Sequence, residues 1–275
     1  MYLKQCLASI EMLSEDRSFP AHEVIVADGD SNDGTTEYLK TIPELTKLRL
    51  NLRALSCPNF GWPYSANEGL KAALGEWIAL TNPDLVFTHD FFPLWRFASR
   101  TGHQVLSVGL RTNTGIQSAN REVTLSRMFF LWTSLGKWLD RRLFSWYYVK
   151  SFYYNFSRLP MYVDHPLASF ILIKRDAILK AGFLSNRYFL YLADSDFAKR
   201  LTKANIKIVH LGNLTFLHGE GYSIRERSKD AYLRLMKRGM MQYARDWSYP
   251  SILQAIFLLD KLFSRAVAYL SSDGD

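Results

Sequence analysis

The sequence predicts an α/β protein built on a mostly parallel sheet, with one helical insertion and a helical C-terminal extension. Short β-branched runs alternate with helix-like segments, and loops rich in Gly, Asn and Asp separate them. A basic, aromatic stretch interrupts that alternation, which then resumes.

The elements follow in order. LKQCLASIEML carries Leu3, Leu7, Ile10 and Leu13 at the spacing of a buried helical face. Val24 to Val26 reads as a short strand, followed by the acidic loop DGDSNDG and a helix from Thr35. PNFGWPYSANEGLKAALGEWIALTNPDLVF repeats the arrangement, with a glycine-rich loop, a helix through Ala66 to Leu74 and a strand from Trp77 to Leu80. Ligands of such sheets gather beyond the carboxyl ends of the strands, where Asp28 and Asp84 fall. LASFILIKRDAILKAGF predicts a strand running into a helix, and DSDFAKRLTKANIKIVHLGNLTFLHGEG a helix followed by two short strands.

The interruption is Arg121 to Arg158, where aromatic and basic residues interleave and acids are scarce. That mixture suits helices lying at a membrane interface, and equally suits helices packed on a core with solvated charges. Between Ser251 and Leu270, residues Ile252, Ile256, Leu259, Phe263 and Leu270 can share one helical face, with Asp260, Lys261 and Arg265 off it.

Composition excludes several classes. At 275 residues and 48% hydrophobic, the chain can bury a core and is no disordered tail. The net charge of +8 favours an anionic partner, whether nucleotide, lipid surface or nucleic acid. No helix-turn-helix, zinc-finger or RNP-like segment accompanies it, so nucleic acid is not expected. Cys6 and Cys57 are too few for a disulfide framework and fit a reducing, cytoplasmic setting. The longest uncharged apolar run, Trp247 to Leu259, is too short to span a bilayer, and nothing resembles a secretory signal.

Taken singly, the polar motifs are ambiguous. Asp28, Asp30 and Asp33 can be an acidic turn, and no EF-hand glutamate follows them. Asp84 can cap a helix, Asp194 and Asp196 can favour a helix N-terminus, and His218 can be a packed histidine. Their order is informative. VADGDSNDGT, NFGWPYSANEGLKAALGEWIALTNPD, LASFILIKRDAILKAGF and RYFLYLADSDFAKRLTKANIKIVHLGNLTFLHGEG, in succession, resemble family 2 glycosyltransferases of the GT-A (Rossmann-like) fold, especially the rhamnosyltransferase-like branch. The likeness runs from Leu3 to about Ser223, around the insertion.

The resemblance implies roles. Asp28 matches the acid that recognises the nucleobase. Asp30, Asn59, Gly61, Asn67, Asn82 and Asp196 match positions around the nucleotide-sugar donor. Asp84 matches the last carboxylate of the metal-binding motif, whose first position is Asn82 here, and His218, in H-x-x-G to Gly221, matches a histidine that joins the metal or diphosphate. The implied cofactor is a hard divalent cation, Mg2+ or Mn2+, taking oxygen from the carboxylate and the diphosphate. Asp194 matches the catalytic base, although Ala193 stands where relatives carry Glu.

The expectation is a catalytic domain over 1–225, with its insertion at about 121–160, and a C-terminal extension over 226–275. It is an inverting, metal-dependent transferase moving rhamnose or a hexose from dTDP-rhamnose or a UDP-hexose to a surface-glycan or lipid-linked acceptor, peripheral on the cytoplasmic membrane face. A silent nucleotide- or glycan-binding protein and a glycoside hydrolase using Asp84 and Asp194 stay open as alternatives. The family fold begins with an apolar strand lying between those at Val24 and Trp77, whereas this chain begins at the following helix, so the expectation is a longer natural protein or another segment in that place.

Overall fold

A computed structural model describes residues 2–14, 22–41, 51–88, 92–155, 157–219, 229–247 and 249–272. The architecture is α/β. Strand β1 (Val24–Asp28) pairs in parallel with β2 (Leu52–Ser56) as a two-stranded sheet. A larger sheet has the order β3 (Trp77–Thr81), β8 (Phe170–Lys174), β5 (Val105–Thr112), β9 (Ile208–His218) and β4 (Leu85–Val86). Two short strands flank it, β6 (Gly115–Gln117) on β5 and β7 (Met161–Val163) on β9.

The expectation of a mostly parallel sheet needs correction. Among the described residues only β1 with β2 and β5 with β9 run parallel, and the remaining pairs are antiparallel. Strands β7 and β8 return from the helical insertion instead of following a strand-helix-strand crossover, so no crossover forces them parallel. The two short strands predicted near the end are one strand, β9, whose pairing with β5 shifts register between Val108 and Gly109. At the irregularity sits Gly212, against which the Ser157 carbonyl packs so closely that a Cβ would collide with it.

Helix α1 (Tyr2–Ser14) buries Leu3, Leu7 and Ile10, as its spacing predicts. It straddles the two sheets. Leu3 and Leu7 pack with Val24 and Val26 of β1, while Cys6 and Ile10 join the core under β5 and β9. Helix α2 (Thr35–Thr41) adds Leu39 to the first group. Helix α3 (Trp62–Ala72) starts earlier than the predicted Ala66 because Pro63 is tolerated in a first turn, where its missing N–H is no loss. Helix α4 (Phe92–Thr101) buries Leu94 and Ala98 against the same core as Ile10.

Between β1 and β3 lies an apolar cavity of about 530 Å³, lined on one side by Ile25 and Ala27 and on the other by Trp77 and Ala79. No described strand pairs either facing edge. Among the described residues, this gap falls at the position that the resemblance gives to the family's first strand.

The insertion forms helices α5 (Leu125–Trp132), α6 (Ser134–Leu143) and α7 (Tyr147–Phe152). After it come α8 (Arg175–Ala181), α9 (Ala193–Lys203), α10 (Lys229–Asp246) and α11 (Pro250–Ser272). The inner faces of the insertion and the C-terminal helices share one core, in which Met128, Leu131 and Phe152 meet Tyr188, Leu192, Tyr243 and Leu253. The apolar stripe predicted for α11 is split. Ile256 and Phe263 are partly buried, whereas Ile252 and Leu259 are exposed. Asp260, expected off the packed face, accepts a hydrogen bond from Leu135 N at 2.7 Å and turns that side of α11 toward α6. The Leu270 side chain lies outside the described residues. No described helix is long and apolar enough to cross a membrane.

Candidate active site

Asp84 follows β3 through the turn Asn82-Pro83 and precedes β4, whose ladder with β9 pairs Leu85 with His218. That register brings the two predicted metal ligands together. Asp84 Oδ2 lies 3.5 Å from His218 Nε2, and Gly219 N donates to the Asp84 carbonyl at 2.9 Å. Asp84 Oδ1 and His218 Nδ1 are buried without a hydrogen-bond partner. A buried carboxylate oxygen left unpaired costs free energy unless a ligand completes it, so this one is a free donor for a cation. Cys6 sits close enough that burial first, and the Asp84 charge second, push its thiol up to about 12.

The residues fit a hard divalent cation in a limited way. Among the described residues no group of three His, Cys, Asp or Glu side chains forms a protein-only cage. A carboxylate and an imidazole leave most positions to phosphate and water, the usual situation for Mg2+ beside a nucleotide. A cleft of about 290 Å³ opens there, lined by Asp84 and His218 together with Gln5, Arg111 and Asn113. Arg111 is the cation that sequence reasoning missed. It sits near the end of β5, a strand absent from the predicted elements because Ser107 and Gly109 dilute its apolar run, although Val105 to Leu110 are all buried.

Asp194 occupies the first turn of α9, entered through Leu192 at φ 68°. Oδ1 accepts from Ser195 N at 2.9 Å, and Oδ2 lies 3.3 Å from His165 Nε2. Burial pushes the carboxyl pKa up, but His165 and the backbone N–H groups outweigh it and hold it below the ordinary carboxylate value. The group is therefore ionised at neutral pH. His165 is buried, its Nδ1 has no partner, and its backbone exchanges two hydrogen bonds with Asn120.

One short loop joins the two acids. His165 contacts Asp194, and four residues later Ser169 Oγ lies 3.2 Å from His218 Nε2 and 3.3 Å from Asn82 Nδ2. A chain of that length reaches at most about 14 Å, so the Asp194 contact and the Asp84 cleft are held at a fixed short separation. No sequence motif singles out His165. Its signal is only a histidine five residues before a buried strand.

The other predicted residues have different surroundings. Asp28, at the end of β1, is buried and accepts from Ser31 Oγ and from Thr36 Oγ1, the latter at 2.6 Å. Asp30 is exposed at φ 60°, and Asn59 is exposed in the loop before α3. Gly61, at φ 101°, lets the Phe189 carbonyl approach so closely that any Cβ would strike it, and Trp62 N donates to that carbonyl at 2.9 Å. Asn67 is buried, its amide spent on Leu184 and Asn186. Asp196 faces inward, bonded to Arg200 Nε at 2.9 Å, and burial raises its pKa despite that partner. Neither Asn67 nor Asp196 opens onto the Asp84 cleft. Gly221 lies outside the described residues.

A family model described as Glycosyl transferase family 2 matches residues 1–178. A search of curated proteins found no match. Among solved structures, the chain is similar to a crystal structure of S. aureus TarS 1-349, with a TM-score of 0.51 and 14% identity over 89% of this chain and 68% of that one. TarS 1-349 in complex with UDP-GlcNAc aligns at a TM-score of 0.52 and 17% identity, over 86% and 61% of the two chains. This chain spans 41% of the longer TarS structure.

Proposed function

The chain belongs to glycosyl transferase family 2 and has the GT-A fold, and from that premise we propose that it is an inverting transferase acting on a nucleotide-sugar donor. The observation that carries the reading is the pair of acids. Asp84 offers an unpaired buried oxygen beside His218, and Asp194 is held ionised at the other end of the loop from His165 to Ser169.

Asp84 and His218 would hold Mg2+ or Mn2+ against the donor diphosphate, with Arg111 of the same cleft adding positive charge. The bound cation supplies charge stabilisation for the departing diphosphate. Asp194 takes the proton of the acceptor hydroxyl as its oxygen attacks the anomeric carbon, and the bond from that carbon to the diphosphate breaks in the same displacement. With Asp194 on the face opposite the leaving group, one displacement inverts the anomeric centre. Asp28 and Asp30 would meet the nucleoside.

The donor is dTDP-rhamnose or a UDP-hexose, and the acceptor a surface glycan or its lipid carrier at the cytoplasmic face of a membrane. UDP-GlcNAc, the ligand of the TarS complex, joins the panel on the strength of the shared fold. Purified protein is incubated with each donor, with and without Mn2+, and release of nucleoside diphosphate is measured. Release from one donor, stimulated by Mn2+, is the expected result. No release from any donor, with tight binding of one, would replace this reading by that of a silent nucleotide-binding protein.

A further inference from the structure

The turn between α6 and α7 exposes Leu143, Phe144, Trp146 and Tyr147, the first and last at 67% and 61%. Exposed apolar side chains are common singly, but four within five residues are not. The turn is also built. Asp140 is fully buried, its carbonyl accepts from Phe144 N and from Trp146 N, both at 3.1 Å, and its Oδ1 accepts from Tyr148 N at 3.1 Å. Ser145 and Trp146 hold positive φ, and Phe130 stacks on Tyr148 at 3.9 Å beneath them. Fixing the backbone this way keeps the aromatic groups turned outward, where they would otherwise collapse onto the core.

Exposed cations surround the turn. Arg141 and Arg142 precede it and Lys150 follows it, while the acid of this stretch, Asp140, is buried. Apolar exposure continues onto α11, which meets α6 through Trp138 and Phe263, centroids 5.7 Å apart, and exposes Leu258 and Leu262 beside Lys261 and Arg265.

We propose that the turn from Leu143 to Tyr147 is a preformed wedge that enters the headgroup region of an anionic membrane, with Arg141, Arg142 and Lys150 on the lipid phosphates. Aromatic rings settle at that depth because one part is apolar and another tolerates water, and arginine beside them meets negative charge. A second protein chain would have to match the ring of cations with acids, and among the described residues of α6, α7 and α11 the acids are Asp140, which is buried, and Asp260, which is bonded to Leu135 N. The proposal deepens the membrane-contact part of the reading above. Its test uses no donor, so absence of transfer and absence of membrane binding are separate results.

The experiment places an environment-sensitive dye on Ser145→Cys in the full chain. Cys6 and Cys57 are buried, which directs labelling to position 145. Phosphatidylcholine vesicles, with and without phosphatidylglycerol, are the probe. The expected result is co-sedimentation with the anionic vesicles only and a blue shift of the dye on binding. R141Q/R142Q weakens binding roughly thirtyfold at low salt, the share of two cations. F144S/W146S removes the blue shift while thermal melting and circular dichroism stay unchanged. A dye that remains in water on the bound protein overturns the proposal, as does failure to bind anionic vesicles. Concentration-dependent self-association without lipid, lost in F144S/W146S, would assign the turn to a second copy instead.

Discussion

His165 Nε2 lies 3.3 Å from Asp194 Oδ2, on an imidazole whose other nitrogen has no partner. The same Nε2 lies 3.3 Å from Ser195 Oγ, so the ring edge sits between that hydroxyl and the Asp194 carboxylate. On the proposed mechanism His165 is a positioning residue. It lies against one carboxylate oxygen while Ser195 N donates to the other.

The consequence appears in the pH profile. Asp194 has a depressed pKa, so the ionised form that the proposed base requires is present above that value and is lost as pH falls through it. Other charged neighbours are already engaged, Asp196 with Arg200 and Glu122 with Lys199, and the Tyr243 hydroxyl is pushed up by burial. His165→Ala should move the acidic limb of kcat/KM to higher pH, with donor KM unchanged, and His165→Gln should partly restore it. An unmoved limb would reduce His165 to packing.

Asn67 ties α3 to the segment that leads into α9, its amide holding both the N–H and the carbonyl of Leu184. Asn67→Leu leaves both buried and unpaired. The expected loss is about 2 to 4 kcal/mol of stability, read by denaturant unfolding, with donor affinity per folded molecule little changed. A large fall in donor affinity without loss of stability would return Asn67 to the donor site.

Asp196 and Arg200 form a largely buried pair. Burial raises the Asp196 pKa above its unfolded value, so the folded state binds the proton more tightly and the group's ionisation costs stability as pH rises through that range. Arg200→Met removes the compensating cation and should destabilise by about 3 kcal/mol at neutral pH. Adding Asp196→Asn should recover most of it. Equal stability of single and double variants would contradict the pairing.

The cavity between β1 and β3 makes a prediction about individual amides. Val24 N bonds to Asn51 O, so Val24 and Val26 face β2 while Ile25 and Ala27 face the gap. Arg175 N bonds to Glu76 O and Asn82 N to Ser169 O, so Ile78 faces β8 and Ala79 the gap. Amide hydrogens of Ile25, Ala27 and Ala79 should exchange at least about a hundredfold faster than those of Val26 and Ile78. Equal protection would mean that another segment pairs these edges.

The gap between β1 and β3 was the most legible feature of the fold, because the two strands that border it are recognisable by their own apolar runs. Asp84 and His218 were legible for the same reason, each at the end of a patterned strand. Strands β2 and β5 were not. The first is mostly exposed on an edge and carries Arg53, and the second is broken in sequence by Ser107 and Gly109. Asn67 and Asp196 sit in the right motifs, but sequence gives no direction for a side chain, and their partners Leu184 and Arg200 decide that both are committed to the scaffold. His165 was beyond reach, since its meaning rests on a contact 29 residues away in the chain.

The central claim is that Asp84 serves the donor and Asp194 the acceptor. Calorimetry with UDP and Mn2+, paired with turnover of the active donor, tests it in two variants. Asp84→Asn should lose Mn2+-dependent binding and turnover together, since an amide keeps the shape but not the charge. Asp194→Asn should bind normally and lose about a hundredfold or more in turnover. Normal binding and normal turnover in both variants would contradict the assignment of either acid.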